Sequence, residues 1–223
     1  MGSSRLPNKM SLDLAGFPII DWVLTRTKQC KLIDKIVLAT SKSKENNYLI
    51  EFANKHMVQS FIGSEDNVLS RFLDIASNEK ADIIVRICAD NPLVDWVEVD
   101  KVIDYFLKSD LDYAFNHIPA LDNKYIDGVG AEVISAQALS KIGNMNLNSD
   151  YLEHVTKFIW SNKDLFKIGT LEAPAELSFP KIRLDIDTKE DLLFLRKSLN
   201  NFDEIKSPID CNINSFVKSL TKT

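Results

Sequence analysis

Residues 82–88, Asp-Ile-Ile-Val-Arg-Ile-Cys, form the most constraining stretch of the chain: apart from Arg86 and the flanking Asp82 it is apolar throughout. A run this short and this apolar fits a strand buried on both faces, the habit of parallel sheets covered by helices. Its neighbours agree. Strand-like runs at 35–40, 58–62, 112–116, 131–135, 166–171 and 181–186 alternate with segments of helical period. Among the latter, Val68, Leu69, Phe72, Leu73 and Ala76 make one stripe, Ile20, Val23 and Leu24 another, and Val99, Val102, Ile103 and Phe106 a third. Leu152, Val155 and Ile159 predict a helix over 151–160, and Ile213, Phe216, Val217 and Leu220 a last one. Thr188 and Asp191 form an acidic capping box that opens a helix running to Leu199. This alternation predicts an α/β fold with a mostly parallel central sheet flanked by helices. With 223 residues, 45% of them hydrophobic, the chain suffices for a single domain, 1–223. In such sheets ligands bind beyond the carboxyl ends of the strands, so chemistry is expected near residues 40, 88, 116 and 186.

Composition narrows the partners. A net charge of −5 gives no basic surface for nucleic acid, so a polyanionic ligand needs a local cationic pocket. No apolar run reaches the ~20 residues of a membrane helix, and the first 15 residues hold no signal-peptide core. Cys30, Cys88 and Cys211 are widely spaced and odd in number. They read as free thiols in a reducing, cytoplasmic setting, with Cys30 and Cys88 packed in apolar segments.

Four segments carry candidate chemistry. The first is Gly2-Ser-Ser-Arg-Leu-Pro-Asn-Lys9. Its small residues Gly2, Ser3 and Ser4 expose backbone N–H groups able to cradle phosphate, and Arg5 and Lys9 add cationic charge. The same composition also suits a solvated tail, and it lacks the Walker A pattern. The second is Asp90-Asn-Pro-Leu-Val-Asp95 at the end of the apolar strand. Asp90 there is either a turn residue or a Mg²⁺ ligand, a hard cation that prefers carboxylate and phosphate oxygens; Asp95 reads as a helix cap. In the third, Arg183, Asp185 and Asp187 share one face by the period of two. A metal or substrate site explains them, and so does an exposed edge face. Fourth, Glu132 interrupts an apolar strand and His154 follows Glu153 in a helix. Either could bond a polyhydroxy acceptor, or be a surface Glu and a structural His. HExxH, GxSxG and GxGxxG are all absent.

Taken together, the segments MGSSRLPNKM at 1–10, GSEDNVLSRF at 63–72, RICADNPLVD at 86–95, DGVGAEVIS at 127–135, EHVTKFI at 153–159 and RLDIDTKEDL at 183–192 resemble the SpsF-type cytidylyltransferases. That family sits beside the acylneuraminate and 3-deoxy-manno-octulosonate cytidylyltransferases in the nucleotide-diphospho-sugar transferase fold. The resemblance implies transfer of CMP from CTP to a sugar or sugar-acid acceptor, with release of pyrophosphate, for surface polysaccharide synthesis. It implies that Gly2, Ser3, Ser4, Arg5 and Lys9 hold the triphosphate, that Ser41, Ser64 and Arg71 line the nucleotide pocket, and that Asp90 and Asp187 bind Mg²⁺. Asn116, Glu132, His154 and Arg183 would face the acceptor. Arg5, Lys9, Asp90 and Asp187 would do the catalytic work. A homodimer is implied too, with 115–160 as acceptor or dimerisation subregion and Trp96 as a further candidate contact. The family pattern carries a strand and a Gln-Ala-Arg-like stretch ahead of the glycine–serine loop, so a form extended upstream by about 8–12 residues, a strand and its lead-in, is expected to be more stable and more active. Two other readings stay open: a same-fold nucleotidyltransferase using another NTP or a polyol phosphate, and a catalytically silent relative that binds nucleotide or acts as an interaction domain.

Overall fold

The computed structural model describes residues 6–42, 46–117, 120–202 and 204–221. The Gly2–Arg5 part of the candidate phosphate loop lies outside them. After a 3-10 turn at Lys9–Ser11 come β1 (Asp13–Leu14) and β2 (Phe17–Pro18), a small antiparallel hairpin. Ala15 (φ 50°) and Gly16 (φ 85°) form its two-residue turn, whose paired positive φ angles match the twist of the flanking strands. Then follow α1 (Ile19–Thr27), β3 (Val37–Ser41), α2 (Asn47–Lys55), β4 (Gln59–Gly63), α3 (Val68–Glu79), β5 (Ile83–Arg86), α4 (Trp96–Leu107), β6 (Tyr113–Phe115) and β7 (Glu132–Ser135). The chain closes with α5 (Ala136–Gly143), α6 (Ser149–Glu153), α7 (Lys157–Ser161), β8 (Ile168–Thr170), α8 (Lys189–Asn200) and α9 (Ile213–Leu220).

The strands order as β5-β7-β6-β8, with β3 and β4 pairing parallel as a separate two-stranded ladder. Strands β5, β6 and β8 run the same way, and β7 runs against both β5 and β6. The sheet is therefore mixed, mostly parallel in direction. Strand β5 is less enclosed than its sequence suggests, each of its four residues being half-buried.

Two segments depart from the periodicity. The helix expected over 151–160 is broken into α6 and α7 at His154, whose φ of −106° and ψ of 83° leave the helical region. The break turns Val155 and Thr156 inward, both buried, Val155 in the cluster that also holds Tyr113, Phe115 and Ile159. The run 181–186 forms no ladder beyond a single bridge between Asp127 and Arg183. It is held instead by scattered backbone bonds, Leu184 N to Asp127 O at 3.0 Å and Ile186 N to Asp90 O at 2.8 Å. Its alternation survives: Leu184 and Ile186 are fully buried, which turns Arg183, Asp185 and Asp187 to the opposite side. Helix α5 has no counterpart in the sequence reading, although Ser135 caps it through Ala138 N. The Thr188–Asp191 capping box forms with both reciprocal bonds. No helix among the described residues is long and apolar enough to cross a membrane.

Candidate active site

Carboxylates gather beyond the carboxyl end of β5. Asp90 ends the turn after the strand, and Ile186 N donates to its carbonyl, so the 183–187 segment is pinned alongside. Lys9 reaches both. Its Nζ lies 3.1 Å from Asp90 Oδ2 and 3.5 Å from Asp187 Oδ1, with its side chain only 10% exposed. Two carboxylates 97 positions apart in sequence thus converge on one cation. Next to them, Arg183 grips Asp185 with Nε and Nη2 and lies 3.9 Å from Asp127 and 3.8 Å from Asp187. Gly128 makes this crowding feasible: its φ is 91°, and a Cβ there would stand 2.7 Å from Asp185 N. Burial, then repulsion from Asp185, pushes the Asp127 carboxyl up to about 6.

The ends of β3 and β4 make a second wall. Ser41 pairs with Gly63 in register, and Arg71 lies over that glycine, since a Cβ on Gly63 would be 2.6 Å from Arg71 Cγ. Arg71 is 7% exposed, and its Nε has no hydrogen-bond partner among the described residues. Burial lowers its basicity while Glu65 opposes that effect. A buried guanidinium with an unmet donor is costly unless an anion completes it. Ser41 Oγ accepts from Asn46. Ser64 is exposed, and its Oγ accepts from Asn67 N, so it serves a turn ahead of α3.

On the face of the sheet under α6 and α7, Glu132 is 1% exposed. It sits opposite Arg86 on one side and Phe115 on the other, and Arg86 Nη1 and Tyr113 Oη both donate to it. Burial alone would raise its pKa, but Arg86, then His117 and the hydroxyls of Tyr113 and Thr156, hold it down to about 2. This places Glu132 in a buried ion pair, not on the surface.

Asn116 is fully buried and spends its amide on the fold: Nδ2 donates to Glu98 O at 2.8 Å and Oδ1 accepts from Ala131 N at 3.0 Å. His154 is exposed at the C-terminus of α6. Sequence reasoning overlooked Asp127 and His117; the Asp127-Gly128 pair before a strand was the available signal for the first. No disulfide joins the described cysteines; Cys211 is buried, and Cys30 and Cys88 are half-buried. Burial first, then nearby carboxylates, pushes both half-buried thiols up to about 12, which disfavours the reactive thiolate.

The two carboxylates that meet at Lys9 fit a divalent cation. Their oxygens already point at a common positive centre, and Mg²⁺ is commonly held by one or two carboxylates, with substrate phosphates and water completing the shell. Among the described residues no group of three or more His, Cys, Asp or Glu side chains is arranged to hold a metal.

Comparison with known proteins follows this geometry. Residues 1–211 match the family described as cytidylyltransferase. The spore coat polysaccharide biosynthesis protein SpsF of Bacillus subtilis is 34% identical over 196 residues, covering 86% of this chain and 79% of that protein. A 3-deoxy-manno-octulosonate cytidylyltransferase from Trichlorobacter lovleyi is 29% identical over 106 residues, 48% of this chain and 41% of that protein. The structure of a cytidylyltransferase from Leptospira borgpetersenii superposes with a TM-score of 0.86 at 29% identity, covering all of this chain and 90% of that one. The fold is the nucleotide-diphospho-sugar transferase fold expected from the sequence, and the chain belongs to the cytidylyltransferase family.

Proposed function

We propose that this protein transfers CMP from CTP to the hydroxyl of a sugar-acid acceptor, releasing pyrophosphate, with Mg²⁺ held by Asp90 and Asp187. The observation that carries this reading is the convergence of those two carboxylates on Lys9 at the end of β5. The sugar-acid class rests on the partial likeness to the 3-deoxy-manno-octulosonate enzyme.

The acceptor hydroxyl oxygen attacks the α-phosphorus in line, the bond from the α-phosphorus to the bridging oxygen breaks, pyrophosphate leaves with that oxygen, and the hydroxyl proton passes to solvent. Bound Mg²⁺ would neutralise phosphate charge as it moves to the leaving group. Lys9, which meets both carboxylates, would lend its positive charge to the triphosphate, as would Arg5. Arg71, buried at the end of β4 with an unmet Nε donor, contributes a fixed positive charge on the nucleotide side. Arg183 holds Asp185 and neighbours Asp127, keeping the acidic loop rigid. Such a site works by positioning and electrostatics, with no covalent intermediate on the protein.

The test is a thermal-shift series with CTP, UTP, GTP and ATP, each with and without Mg²⁺. Ligands that bind the native state raise the melting temperature. The expected outcome is stabilisation by CTP with metal above the other nucleotides, abolished by Asp90→Asn or Asp187→Asn. A preference for UTP or GTP would reassign the base, and no response to any nucleotide would remove the enzymatic reading.

A further inference from the structure

His117 is a histidine that the fold buries without using. It continues β6 two residues beyond Phe115, so by the strand period it lies on the same face as Tyr113, Phe115 and Glu132. Its carbonyl accepts from Gly128 N at 3.4 Å, tying it to the loop that carries Asp127. The ring meets Phe115 edge-on, 6.5 Å between centroids. Only 9% of the residue is exposed, and Nδ1 has no hydrogen-bond partner among the described residues. A buried imidazole nitrogen left unmet costs free energy, and native structures keep such an atom where a ligand completes it.

Its surroundings fix which ligand. On one side Nε2 lies 3.9 Å from Glu132 Oε2, too far for a direct hydrogen bond but near enough for the carboxylate to favour the tautomer protonated on Nε2. That tautomer makes Nδ1 an acceptor. On the other side the ring feels Asp90 and Asp185 of the acidic site. Burial outweighs these carboxylates and lowers the imidazole's pKa, so the ring is neutral near pH 7. A neutral acceptor nitrogen suits a hydroxyl donor.

We infer that His117, oriented by Glu132, binds the acceptor through a hydrogen bond from one of its hydroxyls to Nδ1. This rests on the proposed cytidylyl transfer and deepens it: it names a further residue on the acceptor side. Glu132 acts through His117 and is a positioning residue, since its own oxygens are taken up by Arg86 and Tyr113.

The experiment compares His117→Ala and His117→Asn with wild type. Pyrophosphate release is followed with CTP, Mg²⁺ and a panel of 3-deoxy-manno-octulosonate, N-acetylneuraminate and neutral hexoses, and the best wild-type acceptor is used throughout. Asn sets an amide oxygen near the position of Nδ1, so it restores an acceptor atom without restoring an imidazole. The expected result is that His117→Ala raises KM for the acceptor by roughly 10- to 100-fold, the scale of one lost substrate hydrogen bond. KM for CTP stays within about twofold, and His117→Asn recovers most of the loss. Melting temperatures and CTP-induced shifts of all three proteins report folding and nucleotide binding independently. An unchanged acceptor KM in His117→Ala, an equal rise for CTP, or an Asn variant as impaired as the Ala variant overturns the assignment. A wild type that turns over no member of the panel removes the parent reading, and this one with it.

Discussion

Lys9 donates to Asp90 Oδ2 across 3.1 Å, a bond between residues 81 positions apart that ties the first turn of the chain to the end of β5. The same ammonium lies 3.5 Å from Asp187. On the proposed reading a divalent cation held by these two carboxylates would stand at the same place as this ammonium, so the two would compete. Replacing Lys9 with Met removes the competitor and leaves two carboxylates facing each other, partly exposed at 32% and 28%. The expected outcome is opposite in sign for binding and for turnover. Mg²⁺ affinity without nucleotide rises several-fold, read by calorimetric titration, while pyrophosphate release from CTP falls by about 100-fold because a charge facing the triphosphate is gone. Unchanged Mg²⁺ affinity would show that the carboxylates do not share a metal.

Asp127 gives the site a pH signature. Burial and then Asp185 push its carboxyl up to about 6, against roughly 3.9 in an unfolded chain. The folded state thus holds this proton more tightly than the unfolded state does. The contribution of the group to stability is fully present below the unfolded value and is lost as pH rises through 6. At pH 7.5 the ionised carboxylate is a liability that Asn would not carry. Asp127→Asn is expected to melt a few degrees above wild type at pH 7.5 without divalent ions, and the difference should close as pH falls from 6 to 4. A variant that melts lower at pH 7.5 would mean that the nearby Arg183 outweighs burial.

Local signals were readable and long-range ones were not. The Thr188–Asp191 capping box, the cap at Asp95 and the buried Leu184–Ile186 alternation lie within a few residues of their own causes, so sequence spacing exposes them. Arg26 shows the opposite. It reads as one polar residue in an amphipathic helix, yet it is 1% exposed and donates to the carbonyls of Val94, Pro208 and Cys211. Nothing near position 26 announces partners up to 185 residues away. The candidate site divides the same way. Asp90 and Asp187 follow apolar runs whose carboxyl ends mark a ligand crevice, and Lys9 stands in a loop of suggestive composition. His117 is a single histidine after a strand, and Asn116 carries its polarity into the core; both depend on which residues the sheet register sets opposite them. The split of α6 from α7 has the same origin, because the inward turn of Thr156 answers to Glu132 on another element.

The Arg86–Glu132 pair is costly to disturb by halves. Glu132 is 1% exposed and Arg86 approaches it across the β5–β7 register. Removing one member of a buried pair leaves the other uncompensated, at about 3–5 kcal/mol. Glu132→Gln is expected to lose stability on that scale in urea at pH 7, since a neutral amide cannot balance the guanidinium. Adding Arg86→Met to the same chain should restore part of the loss, because a pair removed together leaves no orphaned charge; the double variant is then less destabilised than the sum of the singles by more than about 1 kcal/mol. Acid supplies an independent check. Glu132 is held down to about 2, below roughly 4.3 for an unfolded chain. Its contribution is therefore present above the unfolded value and lost as pH falls through that window. The stability gap between wild type and Glu132→Gln should shrink from pH 5 to pH 3. Additive single and double variants, with a gap indifferent to acid, would mean that the contact contributes packing and no charge pairing.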